Sequence, residues 1–318
     1  MAYNAEIIAD SVSEAGDRLT TFEVTFPRMV LAEFNTHRML SRNSASSRAI
    51  PVEKQLLRVL DDPFVPVHWG VNQPGMQADM ALTADEAVKA EEKWLLSRDY
   101  AVLGAVALIG GVERLQDESL KDRIGVVAGR LNYAAEPLPT PVHKQIANRL
   151  LEPFMWHTVI VTATDWSNYF ALRANPQAQP EIQRIAYMMR DVYESNAPAL
   201  LGPDQWHLPL VQPDERDLPI DALKKIATAR CARVSYLTHD TGQRDAAKDI
   251  ALHNALLGGG HMSPFEHLAR PMTAEERQKY MVPIGEDSER PYCGNFQGWI
   301  QYRKEVPNEH DYGLVGQS

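Results

Sequence analysis

The sequence is short of cysteine, of long hydrophobic runs, of positive charge and of glycine-rich phosphate loops, and each shortage excludes a class of protein. Cys231 and Cys293 are its two cysteines in 318 residues, too few for a disulfide framework or for a zinc site built from about four Cys or His ligands. A reducing cytoplasm is the setting this implies, bacterial or, for a phage-encoded protein, that of the host. The longest uncharged apolar run, YAVLGAVALIGGV at 100–112, is too short to span a bilayer and is framed by Arg98, Asp99, Glu113 and Arg114, so it reads as a buried helix and no membrane contact is expected. The N-terminal MAYNAEIIADSVSEAGD has no basic start before an apolar run, so no secretory signal is expected. A formal net charge of −10 argues against nucleic-acid binding through a broad basic surface, because phosphate neutralisation dominates such affinity. Neither a Rossmann G-x-G-x-x-G nor a P-loop occurs, and H-E-x-x-H is missing too. His261 and His267 flank Pro264 at the wrong spacing for a helical metal pair, so no metal is expected.

What is present has the composition of an ordinary globular chain, 44% hydrophobic and 23% charged. The length allows one large α/β domain or two smaller ones. AEIIADSV at 5–12 and LTTFEVTF at 19–26 alternate as strands, and MWHTVIVTAT at 155–164 is β-like as well. Helical spacing follows Pro27 through Val30, Leu31, Phe34 and His37 or Arg38, which would put His37 and Ser41, and Arg38 and Arg42, one turn apart. Thr83 to Glu86 is a capping box opening a long helix; others are expected over 117–131, from Thr140-Pro141 to about Leu151, after Asp165, and from Pro180 with Ile182, Ile185, Ala186, Met189 and Val192 as its core stripe. The proline-rich stretch from Ala197 to Pro219 marks a segment boundary. Beyond it, DALKKIATARCARVSY reads as helix into extended chain, 243–257 as a helix stopped by Gly258-Gly259-Gly260, Thr273 to Glu276 as another capping box, and GNFQGWIQYRKEV at 294–306 as one more strand. The division is thus 1–200 and 201–318, both packing into one domain.

Residues 36–51, THRMLSRNSASSRAIP, place three arginines, a histidine and four serines together without a carboxylate. Arg offers a planar fork of donors and Ser and Asn add short adaptable ones, so the stretch reads either as a cradle for an anion or as a solvated loop. Two other polar segments accompany it, DWSNYFALRANPQAQPE at 165–181 and the run from RCARVSY to GHMSPFEH within 230–267. A cysteine nucleophile at Cys231 or Cys293 stays open, since histidines are available, but neither has a diagnostic local motif.

These three segments resemble the flavin-dependent thymidylate synthases. The family signature is R-H-R, seven residues, S, one residue, R, matched here by His37, Arg38, Ser46 and Arg48, with Ser41 and Asn43 in family-like places. NYFALRANPQAQPEI resembles the family's N-F-L-x-L-R-x-x-x-x-A-Q-x-E-I region through Asn168, Leu172, Arg173, Ala178, Gln179, Glu181 and Ile182. ARVSY at 232–236 and GHMSPFEH at 260–267 resemble A-R-V-S-F and G-H-x-[ST]-P-F-E-H. The resemblance covers about two thirds of the chain. In the family the last two elements precede the R-H-R motif, whereas here they follow it, so the chain resembles a circular permutant. Residues from about 268 to 318 have no counterpart. Thr36 stands in place of the first Arg of R-H-R, Ser44 in place of a common acidic residue, and Gln177 in place of a frequent His.

The resemblance implies an α/β (α+β) fold assembling as a homotetramer, with FAD at subunit interfaces, and reductive methylation of dUMP by methylenetetrahydrofolate with NADPH as reductant. It places His37, Arg38, Asn43, Asn168, Ser235, Ser263 and Glu266 at the flavin, Ser46, Arg48, Arg173 and Gln179 at the nucleotide, and Arg173 and His261 at the chemistry. The alternatives are a C5 hydroxymethylation, of dUMP or of another pyrimidine nucleotide, and a non-catalytic homologue that only binds a nucleotide.

Overall fold

The computed structural model of the protein describes residues 3–75, 78, 80–133, 135–236, 244–281, 294–306 and 309, without the side chains of residues 235, 236 and 281. Strands β1 (Asn4–Ser13) and β2 (Arg18–Pro27) form the hairpin that their alternation predicts. Then α1 (Leu31–Asn35), β3 (Ser41–Ser44), α2 (Val52–Asp61), α3 (Ala84–Leu108), α4 (Glu118–Leu131) and α5 (Lys144–Ala147) lead to β4 (Trp156–Ala163). After it come α6 (Ser167–Arg173), α7 (Pro180–Ser195), β5 (Ala199–Leu201), α8 (Ile220–Ala232) and α9 (Ala246–Gly258), then β6 (Ala269–Pro271), α10 (Ala274–Met281) and β7 (Trp299–Gln301). Five strands make one sheet in the order β3-β4-β2-β1-β5, antiparallel except for the β1–β5 pair, and β6 with β7 makes a separate antiparallel ribbon.

Alternation along the strands gives the sheet two unlike faces. Phe22 and Val24 of β2 stand opposite Val161 and Val159 of β4, and α7 covers this face with Ile182, Ile185, Ala186 and Met189, all fully buried. Each of the larger of these side chains contributes about 1.5–3 kcal/mol through the apolar area it removes from water. The other face carries hydroxyls. Ser11 Oγ, His207, Thr21, Thr162 and His267 are joined by hydrogen bonds of 2.9, 2.7, 2.7 and 2.8 Å. Burial holds both histidines neutral, with pKa values pushed down to about 3. A second core, from Leu56, Val59, Val102, Val106, Leu120, Ile124 and Phe154, joins α2, α3 and α4 in a helical layer. The Thr83–Glu86 capping box opens α3, worth about 1 kcal/mol.

Four expectations are corrected. The helix after Pro27 ends at Asn35, and residues 41–44 are strand, so His37 and Ser41 do not stack by one turn. Ser and Asn compete for backbone hydrogen bonds inside a helix, whereas pairing with β4 satisfies that backbone. No helix begins at Pro141: α5 starts at Lys144, capped by His143, and passes into 3-10 turns over Asn148–Phe154, a stretch that contains Pro153. ARVSY is not extended but closes α8 with a 3-10 turn over Arg233–Tyr236. Only Trp299–Gln301 of the expected last strand is strand, and Tyr302–Glu305 turns away as 3-10 helix.

Candidate active site

The edge strand β3 and the loop after it carry most of the motif residues, and their exposure follows from what holds the backbone. Ala45 N donates to Thr158 O at 3.0 Å. Fully buried Asn148 donates through Nδ2 to the carbonyls of Ser47 and Ile50, at 2.7 and 3.0 Å, and Ser47 Oγ donates to Glu152 at 2.8 Å. Ala45 and Ser47 therefore face inward and are buried. Ser46 and Arg48 face outward into a cleft of about 530 Å³, whose other wall is His261, Ser263 and Pro264. Ser263 Oγ donates to Asn43 Oδ1 at 3.1 Å, and Asn43 Nδ2 donates to Cys231 O at 2.6 Å. Thus Asn43 links the first motif to both later ones, and Asn43, Ser46, Arg48, His261 and Ser263 share one polar cleft.

His37, Asn168 and Arg173 form a second cluster. Arg173 Nε donates to His37 Nε2 at 3.0 Å; Arg can only donate, so Nε2 is the acceptor and the ring proton sits on Nδ1. Burial, and then the charge of Arg173, lower the His37 pKa, while a hydrogen bond with Asn168 opposes them and the charge of Arg42 adds to the lowering. The ring stands edge-on to Tyr169, 5.0 Å between centroids. Thr36, where the resemblance expects Arg, has a role here: its Oγ1 accepts from Arg173 Nη2 at 3.2 Å and donates to Glu33 O at 2.7 Å.

Arg38 and Glu266 share a separate cavity of about 440 Å³ with Arg42, Gln301, Arg303 and Lys304. Four expected residues line neither cavity: His37, Asn168 and Arg173 of the second cluster, and Gln179. Gln179 precedes α7 and bonds Glu181 at 2.9 Å. The side chain of Ser235 and all of Cys293 lie outside the described residues. Cys231 is fully buried, and burial raises its thiol pKa far above the ordinary range, which removes it as a thiolate nucleophile. Among the described residues no cluster of His, Cys, Asp and Glu could hold a metal ion, and no helix is long and apolar enough to cross a membrane. Sequence reasoning missed His143 and Gln145, which line the first cleft, and Gln301, Arg303 and Lys304, which line the second. His143 was hidden behind the more obvious Thr140-Pro141 cap, and the 301–304 residues lie in a stretch with no matching motif.

A family model described as thymidylate synthase complementing protein matches residues 18–199, more than half of the chain. The chain belongs to this family. The thymidylate synthase complementing match includes β1's partner strand, the 36–48 motif and α6, and it ends before Ser263 and Glu266, so the packing of 260–267 against β3 is an observation of the structure alone. Among solved structures, the chain is similar to a UMP/dUMP methylase from Streptomyces cacaoi bound with 5-Br UMP, at 14% identity over 60% of this chain and 88% of that one, TM-score 0.39. The same enzyme bound with 5-Br dUMP aligns at 15% identity over 60% and 90%, TM-score 0.41. A flavin-dependent thymidylate synthase from Helicobacter pylori complexed with FAD and dUMP aligns at 14% identity over 55% and 67%, TM-score 0.31. No curated protein matches the chain.

Proposed function

We propose that the protein is a flavin-dependent enzyme that methylates C5 of dUMP, taking the one-carbon unit from methylenetetrahydrofolate and reducing equivalents from NADPH. The observation that carries this reading is the Asn43–Ser263 hydrogen bond, which makes one cleft out of motif segments 220 residues apart. The donor set suits both ligands. Ser46 and Arg48 offer charge-assisted and hydroxyl donors to a nucleotide phosphate, and Asn43, Ser263, His37, Asn168, Arg38 and Glu266 offer the amide, hydroxyl, ring and charged groups that a flavin's edge and chain require. Bound FAD would supply the hydride chemistry; the protein orients and polarises. Arg173, its direction fixed by His37 and Thr36, would stabilise negative charge developing on the pyrimidine ring, and His261 would sit where flavin and folate meet.

The separation of Arg173 and Gln179 from the Ser46–Arg48 cleft supports a homotetramer in which a second subunit brings them to it. In this reading segments 1–200 and 201–318 act as one domain, since the cleft has a wall from each, and the enzyme works in the cytoplasm. The test is the mass of the nucleotide formed from dUMP with methylenetetrahydrofolate, FAD and NADPH. A gain of one methyl group is expected. A hydroxymethylated product would keep the site and overturn the product; unchanged dUMP together with a protein that takes up no FAD would overturn the enzyme altogether.

A further inference from the structure

The segment 294–306 lies beyond the family match, yet it is built into the motif residues. Strand β7 pairs with β6, directly after the GHMSPFEH turn, and fully buried Trp299 packs with Leu19, Ala269 and Phe296. Gln301, 2% exposed, donates through Nε2 to Ser41 Oγ, Glu266 O and Asn295 Oδ1 at 3.2, 3.0 and 2.8 Å. Asn295 in turn donates to Met39 O at 2.8 Å. Gly294, at φ +102°, leaves Gln301 its place, since a Cβ there would stand 1.9 Å from Gln301 Oε1. The bonds to Ser41 and Met39 fix the segment against the turn and strand that carry Arg38, Ser41 and Arg42, and those to β6 and Glu266 fix it against the GHMSPFEH turn.

The outcome is a concentration of positive charge in an acidic protein. Arg38 and Arg42 line the 440 Å³ cavity from the motif side, Arg303 and Lys304 from the segment. Against these four cations stand Glu266, which accepts from Arg303, and Glu309, which accepts from Arg303 and Lys304. Among the described residues these cations outnumber the carboxylates they bond by two, while the whole chain carries −10. Cations held together in a partly enclosed cavity repel one another and attract an anion more strongly than they would in open water.

We infer that this cavity is an anion subsite completed by residues 301–304, and that it takes a phosphate-bearing or polycarboxylate group held between Arg38 and Arg42 on one side and Arg303 and Lys304 on the other. Only the identity of the ligand rests on the flavin reading; FAD, NADPH and the carboxylate tail of a folate all present this chemistry. The segment is then a determinant of which of them the protein accepts, with Gln301 as its positioning residue.

The test is titration calorimetry on the full chain with inorganic pyrophosphate, FAD, riboflavin, NADPH and methylenetetrahydrofolate, in the parent and in the double variant Arg303→Gln, Lys304→Gln. The parent is expected to bind pyrophosphate, and the variant at least tenfold more weakly. The same loss for FAD with riboflavin unchanged identifies the flavin's phosphates as the occupant; a loss confined to NADPH or to the folate identifies that ligand. Pyrophosphate binding lost in the variant, in a protein that takes no flavin, upholds the subsite and overturns the proposed function. FAD bound equally by both proteins, with no anion weakened, overturns the subsite and leaves the function standing. Should the double variant not fold, phenylglyoxal labelling of the parent decides: pyrophosphate is expected to protect Arg38 and Arg303, and labelling of both at the unprotected rate overturns the inference.

Discussion

Arg173 shows how much of a site can be set by one side chain's partners. Its guanidinium donates to His37 Nε2, Thr36 Oγ1 and Glu33 O, a geometry that holds the charge without neutralising it. Replacing Arg173 by Ala is expected to lower turnover at least a hundredfold while bound flavin keeps its absorbance; single-turnover kinetics beside a flavin spectrum check both. Cys231 makes the opposite case. Its backbone carbonyl positions Asn43 and its thiol is buried and protonated, so Cys231→Ala is expected to retain turnover within a few-fold, and a loss comparable to that of Arg173→Ala would restore the nucleophile reading. At this scale the sequence was informative where residue type and spacing act together, as in Asn43, Ser46 and Arg48. It was silent on Asn148, which holds the loop from 101 residues away in sequence, because no local pattern announces a buried amide that serves another segment.

Elements with a single strong signal were legible before any coordinates. The capping box of α3, the Pro180 start of α7 and the alternation of β2 each follow from local chemistry, and the structure has them where expected. Ambiguity arose where local chemistry was weak or divided. Strand β3 is four residues of SRNS, poor in β-branched side chains, and its pairing with β4 decided its state. Strands β5 and β6, of three residues each, are products of tertiary pairing and left no trace in the pattern. Helix α7 is the element on which the apolar face of the sheet depends. Ile185→Ala, at a fully buried position in that face, is expected to cost about 2–5 kcal/mol, read as a lower urea midpoint with an unchanged slope.

Three buried histidines bind protons less readily in the folded molecule than in the unfolded chain. His157, His207 and His267 are pushed down to about 3 by burial, Arg28 adding to the effect at His157, whereas unfolded histidine titrates near 6.5. Folded pKa values below the unfolded ones give a contribution to stability that is complete above about pH 6.5 and is lost as the pH falls toward 3. Each histidine adds a slope of about 1.4 kcal/mol per pH unit in that window. Unfolding at pH 5 is therefore expected to take up close to three more protons than at pH 8, a difference that denaturation midpoints across the range would measure. The fold's long connections have a further consequence, during synthesis. All five strands of the large sheet lie within residues 4–201, so the sheet can pair while the rest of the chain is still being made. Ser263, however, follows the end of β4, the strand that β3 pairs with, by 100 residues, an interval of roughly 5–20 s at ribosomal rates of about 5–20 residues per second. Through that interval β3 is an edge strand without its cover, open to pairing with another nascent chain. Slowed translation downstream of residue 201 would lengthen this exposure, and a chaperone that shields β3 would shorten it.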